Sequence, residues 1–526
     1  MLETRSPFSL WQAMSAPLSN SYGRMRVGAS LPFLVVALGW TGLSMLIPAG
    51  IALHLGNDVE SRVFFYYGII VLLISSFVAI ATWKRRPGKN LAKRRLVSLL
   101  AVFVMLPVLL AVPVYDLLPE YGFVSHYFEM VSCLTTTGAT IFGESGNASL
   151  AIHFWRSQVA WSGGFLIWLS AIAVMEPLNL GGFEVVGTTF RSVGSGISKT
   201  SDSVVANRLA NYARSLLPLY AGATAVLWII LVFAGEGWIG GLIHAMSTIS
   251  TSGIQYRDFG AGEANSFAIE LVVFLFLFLA ATRLVYGVDR DTTPVLRPLR
   301  DPELKFAIFC ALALPLALVL PQLISEPSME ARMASALRAY WGSAFTIVSF
   351  LTTTGFESAW WYDAKQFSGL QAPELLLIGL ACAGGGVATT AGGIKLLRIY
   401  ALYEHGLREM NKLTRPSSIG GAGASARRMR REGAYIAWIF FMLFVLATAA
   451  TMMVLSVFGL DFETSLALAV SSLATVGPLA ETAIGGTFSY GDLGTGTKIA
   501  LATTMVVGRL ELLAVIALLN PEFWRS

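Results

Sequence analysis

One heptad pattern, Ser-x-[Leu/Ile]-x-Thr-x-Gly, occurs four times in the chain. The copies span residues 132–138, 247–253, 349–355 and 471–477. A motif that returns at comparable intervals indicates one structural unit that is used several times. The number of such units limits the folds that the chain can adopt, so this repetition constrains the architecture more than any other feature of the sequence.

The last three residues of each heptad suit the binding of a cation. A cation filter requires a backbone that is turned so that its carbonyl groups face an axis. Glycine permits the positive φ of such a turn, and a threonine hydroxyl adds another oxygen ligand. Small residues in a single copy would equally well serve close helix packing, but packing does not require a common heptad. The predicted cation ligands are therefore Thr136, Thr137, Gly138, Thr251, Ser252, Gly253, Thr353, Thr354, Gly355, Thr475, Val476 and Gly477.

Composition places the heptads in a membrane. The chain of 526 residues is 55% hydrophobic and 13% charged, whereas about a quarter of the residues of a soluble globular protein are charged. A helix that crosses a bilayer needs about 20 apolar residues. The sequence therefore predicts an all-α polytopic membrane protein, with spans near 31–53, 64–83, 97–115, 151–176, 210–234, 265–288, 304–325, 372–400, 432–458 and 496–520.

Each heptad ends a short apolar stretch between two predicted spans. Such a stretch is too short to cross the membrane, and we expect a re-entrant pore helix followed by extended backbone that lines a cavity. The predicted architecture has four span–pore-helix–span repeats around one pseudo-fourfold pore, preceded by a pair of extra spans. The predicted divisions are 1–95 for the N-terminal extension and its basic link, 96–205, 206–300, 301–426 with a gating loop, and 427–526.

Basic residues predict the orientation of the chain. They are concentrated after the second, sixth and eighth predicted spans, at 84–95, 283–305 and 395–431. Basic loops lie in the cytoplasm, which places these loops and both termini there. Because membrane topology accounts for the net charge of +5, we predict a lipid membrane as the surrounding partner and no nucleic acid.

A glycine-rich segment lies in the middle of the eighth predicted span. Residues 383–393 read Ala-Gly-Gly-Gly-Val-Ala-Thr-Thr-Ala-Gly-Gly. Each glycine costs a helix about 1 kcal/mol relative to alanine, so we predict a broken helix and a loop beneath the third filter that could block the pore. Tight helix crossing is the alternative explanation. The predicted gate residues are Gly384, Gly385, Gly386, Thr389, Thr390, Gly392, Gly393, Lys395 and Arg509.

Arg509 lies near the centre of the last predicted span. A charge at that depth is costly and by default functional, facing a cavity or a partner. A salt bridge with Glu511 is disfavoured, because residues two apart on a helix face different ways. Lys395 and Arg398 are three apart, which would place them on one helical face at the cytoplasmic exit. For Arg398 we favour anchoring at the membrane surface.

Several segments resemble one family of transporters. They are 135–140, 352–356, 474–478, Arg156 with Trp161 and Gly163-Gly164, 392–398, 508–511 and 523–525. These segments are similar to the Trk/Ktr/HKT superfamily of potassium transporters, in particular its bacterial Trk-type pore-forming subunits. The resemblance implies K⁺ as the ion at the filter, a gating role for the glycine-rich loop and a place for Arg509 beside it. It further implies a multi-pass protein of the bacterial inner membrane, a homodimer and a cytoplasmic nucleotide-binding (NAD/ATP-type) regulatory subunit.

The filter sequences limit the expected selectivity. Many Trk members have glycine and phenylalanine where this chain has Ser252 and Ile254, and none of the four heptads continues as Gly-Tyr-Gly. A shorter filter stacks fewer carbonyl rings, so we expect modest selectivity for K⁺ and Rb⁺ over Na⁺. A Na⁺- or H⁺-coupled K⁺ symporter is the alternative. A serine hydrolase built on Ser252 and His244 would leave the other three heptads unexplained, and we expect neither an enzyme nor an organic cofactor.

Overall fold

The computed structural model describes residues 33–82, 91–143, 148–175, 182, 202–256, 266–282, 301–325, 329–370, 372–414, 431–485, 488–512 and 515. Regular structure within these ranges is helical. The helices are α1 (Phe33–Ser44), α2 (Leu46–His54), α3 (Asp58–Thr82), α4 (Leu91–Leu117), α5 (Phe123–Leu134), α6 (Leu150–Ser170), α7 (Asp202–Phe233), α8 (Trp238–Ser250), α9 (Ser266–Ala281), α10 (Pro302–Ser325), α11 (Met329–Leu351), α12 (Trp361–Ser368), α13 (Glu374–Ala383), α14 (Leu396–Thr414), α15 (Arg431–Val457), α16 (Phe462–Leu473), α17 (Pro478–Ile484) and α18 (Thr495–Leu510).

Some sequence predictions fall outside the described residues. They are the basic residues at 84–90, 283–300, 415 and 427–430, and the terminal segment 523–525. The side chains of 91–95 are likewise outside the description.

Six helical segments of the described chain are long and apolar enough to cross a membrane. They are 33–54 (α1 with α2), α3, 96–117 of α4, 211–233 of α7, 302–320 of α10 and 433–457 of α15. Helices α9, α13 and α16 are apolar but shorter. The predicted spans 151–176 and 496–520 correspond to α6 and α18, which bury polar side chains such as Arg156 and Arg509 inside the protein. The protein is therefore an all-α polytopic membrane protein, as predicted.

Helices that end at a heptad pack between the helices that flank them in the chain. Helix α5 contacts α4 and α6, α8 contacts α7 and α9, α11 contacts α10 and α13, and α16 contacts α15 and α18. Asp461 precedes α16 and caps it, because its carboxylate accepts a hydrogen bond from the backbone N–H of Thr464 at 3.3 Å. The side chain of Thr464 and then this N–H hold the pKa of Asp461 below its ordinary value, and the N–H bond satisfies one of the free donors of the first turn.

The third of these helices differs from the short pore helix that the sequence predicts. Helix α11 runs from Met329 to Leu351 without a break. Its first half carries exposed side chains such as Met333 and Leu337, and its second half, from Ser343 onward, is buried. The stretch that the sequence predicts as a pore helix is thus the buried end of a longer helix, because the first half remains helical at the surface.

The predicted eighth span is interrupted at its glycines. Helix α13 ends at Ala383 and α14 begins at Leu396. Residues 384–395 between them are not helical. This segment is called the glycine loop below.

Glycines bring two helices against the ends of the pore helices. A Cβ atom added to Gly163 of α6 would lie 2.0 Å from the carbonyl oxygen of Leu134. A Cβ atom added to Gly508 of α18 would lie 2.3 Å from the carbonyl oxygen of Leu473. Leu134 and Leu473 occupy the same heptad position, so the first and fourth units share one mode of close helix approach.

We predict that Gly163→Val lowers the stability of the protein, because α6 must move away from Leu134 to admit a side chain. Overpacking of this kind costs about 1–3 kcal/mol. The matched control is Gly222→Ala in α7, where an added Cβ meets no atom within 4 Å and alanine favours the helix. Thermal unfolding in detergent measures both variants, and equal midpoints would contradict the predicted close approach.

Candidate cation filter and glycine loop

The four heptads share one backbone turn. Thr136, Thr251, Thr353 and Thr475 have φ values of 55°, 53°, 58° and 56°. A left-handed backbone is unusual for a β-branched residue, so its recurrence marks these loops as equivalent. In each loop the N–H of the next residue donates to the carbonyl of the heptad serine: Thr137 to Ser132 at 2.8 Å, Ser252 to Ser247 at 3.0 Å, Thr354 to Ser349 at 2.8 Å and Val476 to Ser471 at 2.7 Å.

The heptad glycines do not all take the positive φ that the sequence predicts. Gly138, Gly253 and Gly355 have φ values of 77°, 66° and 86°. Gly477 instead has a φ of −54° and precedes α17, so the expectation is wrong for the fourth loop. Glycine is required there for space, because an added Cβ would lie 2.1 Å from the backbone nitrogen of Ala139.

The four loops contact one another in chain order. A Cβ atom on Gly138 would lie 1.8 Å from the carbonyl oxygen of Ser252, and one on Gly253 would lie 2.2 Å from that of Thr354. A Cβ atom on Gly355 would lie 3.1 Å from Pro478.

The fourth loop returns to the first, because the N–H of Gly477 donates to the carbonyl of Thr137 at 2.6 Å. Loop-to-loop contacts therefore form a closed circuit. Residues 136–138, 251–253, 353–355 and 475–477 are called the Thr-x-Gly ring below.

Side chains at the middle position of the ring bond within their own loops. The Thr137 hydroxyl lies 2.8 Å from that of Thr135, and the Thr354 hydroxyl lies 3.1 Å from that of Thr352. Ser252 bonds to Ser247 and Ser250, each at 3.1 Å. Val476 has no hydroxyl and is fully buried. The hydroxyl groups at the middle position are thus engaged within their own loops, and the differences among these four residues act through packing.

A buried ion pair supports the first loop. The Arg156 Nε donates to Glu129 Oε1 at 2.5 Å, and Glu129 Oε2 accepts from the backbone N–H of Ile141 at 2.8 Å. Glu129 and Arg156 are 0% and 2% exposed. The pair therefore fixes the extended segment that follows Gly138 to α5 and α6.

A carboxylate from another unit supports the third loop. Glu270 of α9 is fully buried. It accepts hydrogen bonds from Trp341 Nε1 at 2.8 Å, from the hydroxyl of Ser358 at 2.8 Å and from the N–H of Ala359 at 2.7 Å. The backbone after Gly355 is thereby tied to the helix that precedes the third unit.

A tyrosine supports the fourth loop. The hydroxyl of Tyr490 donates to the carbonyl of Gly477 at 2.8 Å and lies 3.2 Å from the hydroxyl of Ser471. Neither Tyr490 nor the two carboxylates Glu129 and Glu270 is among the predicted site residues. Each lies outside a heptad, and only the occurrence of a glutamate within an apolar stretch could have drawn attention to Glu129 and Glu270.

The heptad serines differ from one another in their hydrogen bonds. Serines on helices near apolar partners commonly bond to the helix backbone. Ser132 instead donates to the carbonyl of Ala139 at 2.8 Å, and Ser349 accepts from the N–H of Phe356 at 2.6 Å. Of the four, Ser471 bonds to a pore-helix carbonyl, that of Leu468, at 3.1 Å. In the first and third units the residue that follows the heptad glycine is thus the hydrogen-bond partner of the serine, in place of the helix backbone.

The glycine loop is a compact turn whose ends are joined. The N–H groups of Ile394 and Lys395 donate to the carbonyls of Cys382 and Ala383, each at 3.0 Å. Gly384 and Gly393 have φ values of 73° and 74°, which glycine adopts without strain. Within the turn, the Thr389 hydroxyl donates to the carbonyl of Gly386 at 2.7 Å.

Neighbouring helices hold the outer side of the glycine loop. The N–H of Gly386 donates to the carbonyl of Ala280 at 3.1 Å. The N–H of Val387 donates to Glu303 Oε1 at 3.0 Å, and Glu303 is fully buried. A Cβ atom on Gly385 would lie 2.9 Å from the carbonyl of Ala280. The loop is therefore packed into the protein on this side.

The other side of the glycine loop lies against the Thr-x-Gly ring. The N–H of Gly392 donates to the hydroxyl of Thr353 at 2.7 Å. The hydroxyl of Thr390 lies 3.2 Å from that of Thr251. A Cβ atom on Gly392 would lie 2.3 Å from the hydroxyl oxygen of Thr475. The predicted gate residues Thr390 and Gly392 thus meet three of the four ring segments.

Arg509 joins the glycine loop to the fourth ring segment. Its Nη1 lies 3.3 Å from the hydroxyl of Thr475, and its Nη2 donates to the carbonyl of Thr390. The residue is 5% exposed. A buried charge thus lies between the loop and the ring.

Lys395 and Arg398 do not share a helical face. Lys395 precedes α14, has a φ of 85° and donates through Nζ to the carbonyl of Ala391. Arg398 is fully buried, pairs with Glu511 at 2.9 Å and lies 3.7 Å over the ring of Phe440. The predicted anchoring of Arg398 at the membrane surface is therefore wrong, because this pair and the aromatic ring hold it inside the protein.

Known proteins share this sequence and architecture. A family profile described as "TrkH: Cation transport protein" matches residues 304–525. The Trk system potassium uptake protein TrkH of Halomonas elongata is 30% identical over 403 residues, which cover 76% of this chain and 79% of that protein. The chain belongs to the TrkH family. The expected resemblance to Trk-type transporters is thereby confirmed.

Two further TrkH proteins match along nearly the whole chain. The Trk system potassium uptake protein TrkH of Escherichia coli K12 is 28% identical over 490 residues, covering 92% of this chain and 96% of that protein. The crystal structure of the potassium transporter TrkH from Vibrio parahaemolyticus superposes with a TM-score of 0.76 at 26% identity. The superposition covers 95% of this chain and 100% of the Vibrio protein. The likeness to the TrkH family therefore extends over the whole fold.

We predict that Glu129→Gln destabilises the protein strongly, because it leaves the buried guanidinium of Arg156 without its charge partner. Breaking a buried pair in this way costs about 3–5 kcal/mol. The matched control is Glu409→Gln, which removes the carboxylate of the exposed Lys412–Glu409 pair and should cost less than about 1 kcal/mol. Thermal unfolding in detergent compares the two, and similar small shifts would show that the buried pair does not support the first loop.

Proposed function

We propose that this chain carries K⁺ into the bacterial cell across the inner membrane, through a gated, channel-like pore. The Thr-x-Gly ring is the filter in this proposal, and the glycine loop is the gate. The observation that carries the proposal is the closed circuit of four equivalent Thr-x-Gly turns with the glycine loop against it. The names of the relatives, Trk system potassium uptake proteins, support K⁺ as the transported ion.

Backbone carbonyls of the ring are the proposed ion ligands. Carbonyl oxygens replace the hydration shell of K⁺ in known filters. Helices α5, α8, α11 and α16 end one or two residues before the ring, and the partial negative charge of a helix C-terminus favours a cation there. Because each unit contributes one short turn and no Gly-Tyr-Gly extension, the filter should select K⁺ and Rb⁺ over Na⁺ only modestly.

The glycine loop and Arg509 form the proposed closed gate. The loop occupies the space against three ring segments, and Arg509 bridges it to Thr475. A buried positive charge at this place also opposes the passage of a cation. Opening then requires the loop to leave Thr353 and Arg509 to release the carbonyl of Thr390.

The remaining features of the proposal rest on the heptad spacing, on the distribution of basic residues and on the family resemblance. The pore units comprise 96–205, 206–300, 301–426 and 427–526, after an extension at 1–95. Both termini lie in the cytoplasm, the chain forms a homodimer, and a nucleotide-binding regulatory subunit acts on the gate. K⁺ is cargo in this scheme, and the chain itself catalyses no reaction.

The direct test is the flux of tracer Rb⁺ in proteoliposomes that hold the purified chain. We predict that Gly253→Ser lowers the ratio of Rb⁺ to Na⁺ flux, because the side chain would collide with the carbonyl of Thr354. Gly138→Ser and Gly355→Ser should act in the same direction, and Gly222→Ala is the control. Unchanged selectivity in all three ring variants would refute the filter. A reversal potential that follows Na⁺ or pH would instead identify a coupled symporter.

We predict that Arg509→Ala raises basal Rb⁺ flux several-fold, because the closed loop loses the group that bridges it to the ring. A hydrogen bond from a charged group contributes about 1.5–3 kcal/mol, which is enough for such a change. Arg509→Lys keeps the charge but cannot donate from two nitrogens, and it should be intermediate. Thermal unfolding of each variant separates gating from misfolding. Flux equal to that of the wild type would remove Arg509 from the gate.

A further inference from the structure

The four equivalent ring threonines differ in what their hydroxyl oxygens contact. The hydroxyl of Thr353 accepts from the N–H of Gly392 at 2.7 Å, and that of Thr475 lies 3.3 Å from the guanidinium of Arg509. The hydroxyl of Thr251 instead donates to that of Thr390 at 3.2 Å, so its own lone pairs are not taken. Three of the four thus contact the glycine loop or Arg509, and those of Thr353 and Thr475 do so as acceptors.

Thr136 is the exception. Its side chain is fully buried, and its Oγ1 has no hydrogen-bond partner among the described residues. A buried hydroxyl without a partner loses its bonds to water and gains none in return. This oxygen is therefore available to a ligand that the protein itself does not supply.

A donor and a cation compete for the same hydroxyl oxygen. A threonine hydroxyl has one proton and two lone pairs. When an N–H or a guanidinium points at the oxygen, that lone pair no longer faces a cation, and a guanidinium adds like-charge repulsion. A dehydrated K⁺ needs several oxygen ligands at once, so the loss of two hydroxyl oxygens weakens any cation site that the four threonines form.

We propose that the glycine loop and Arg509 close the ring by taking the hydroxyl oxygens of Thr353 and Thr475 from a K⁺ site that the four ring threonines form together. This inference rests on the filter and gate proposed above and adds that the gate acts through the ligands of the ion. In the closed state the hydroxyl oxygen of Thr136 accepts no hydrogen bond from the described residues. We place the K⁺ site beside this oxygen.

Reciprocity gives this arrangement a consequence for regulation. If loop closure weakens K⁺ binding, then bound K⁺ weakens loop closure by the same factor. The transported ion at this site thus favours the open loop, before any partner subunit acts.

Hydrogen exchange of the glycine loop tests the proposal on the full-length chain in detergent. The loop peptide is followed by mass spectrometry in KCl, in RbCl and in choline chloride at equal ionic strength. We expect exchange to be about 3- to 10-fold faster in K⁺ or Rb⁺ than in choline, the range that corresponds to one hydrogen bond. Equal exchange in all three salts overturns the proposal.

Substitutions at equivalent positions sharpen the test. Thr353→Val keeps a β-branched side chain and removes the acceptor of Gly392, so the loop should exchange rapidly even in choline. Thr353→Ser restores the hydroxyl and should restore slow exchange. Thr136→Val has no partner in the loop to remove, so it should exchange like the wild type in choline and respond less to K⁺. Identical behaviour of Thr353→Val and Thr136→Val would contradict the unequal roles.

The outcomes separate this inference from the proposed function. Ring-glycine variants with unchanged Rb⁺ selectivity would remove the filter itself. Altered selectivity in those variants, together with loop exchange that ignores K⁺, would leave the pore in place and remove only the competition for hydroxyl oxygens. Thermal unfolding of each threonine variant identifies any that fails to fold.

Discussion

Backbone that leaves a helix inside a membrane must find hydrogen-bond partners within the protein, and the rest of the structure depends on how this requirement is met. In every heptad turn the N–H of the sixth residue donates to the carbonyl of the heptad serine. The backbone beyond the turn needs further partners, which Glu129, Glu270 and Tyr490 supply in the first, third and fourth units. The shared turn is local, whereas the partners come from different helices.

The sequence was sufficient to predict the parts of the structure that depend on short-range chemistry. The four heptads predicted four equivalent turns, and the glycines at 384–393 predicted a broken helix. Both follow from backbone preferences within a few residues. The family resemblance added the ion and the gating role, which no periodicity or spacing could supply.

Other features depend on contacts between distant residues and were missed or wrong. Arg398 looked like a membrane anchor because its partner Glu511 is far away in the sequence. Gly477 was expected to serve a positive φ, but it serves close contact with the first loop. Glu129 and Glu270 carried a readable signal, since a glutamate in an apolar helix is costly unless it is bonded. Their partners, however, could be identified only from the fold.

The bond from Gly477 to Thr137 has a consequence for biosynthesis. It joins the first heptad to be synthesised to the last, across most of the length of the chain. Until the C-terminal unit enters the bilayer, the carbonyl of Thr137 lacks the N–H of Gly477 as its hydrogen-bond donor. A chain that lacks the fourth unit therefore leaves the ring open beside Thr137.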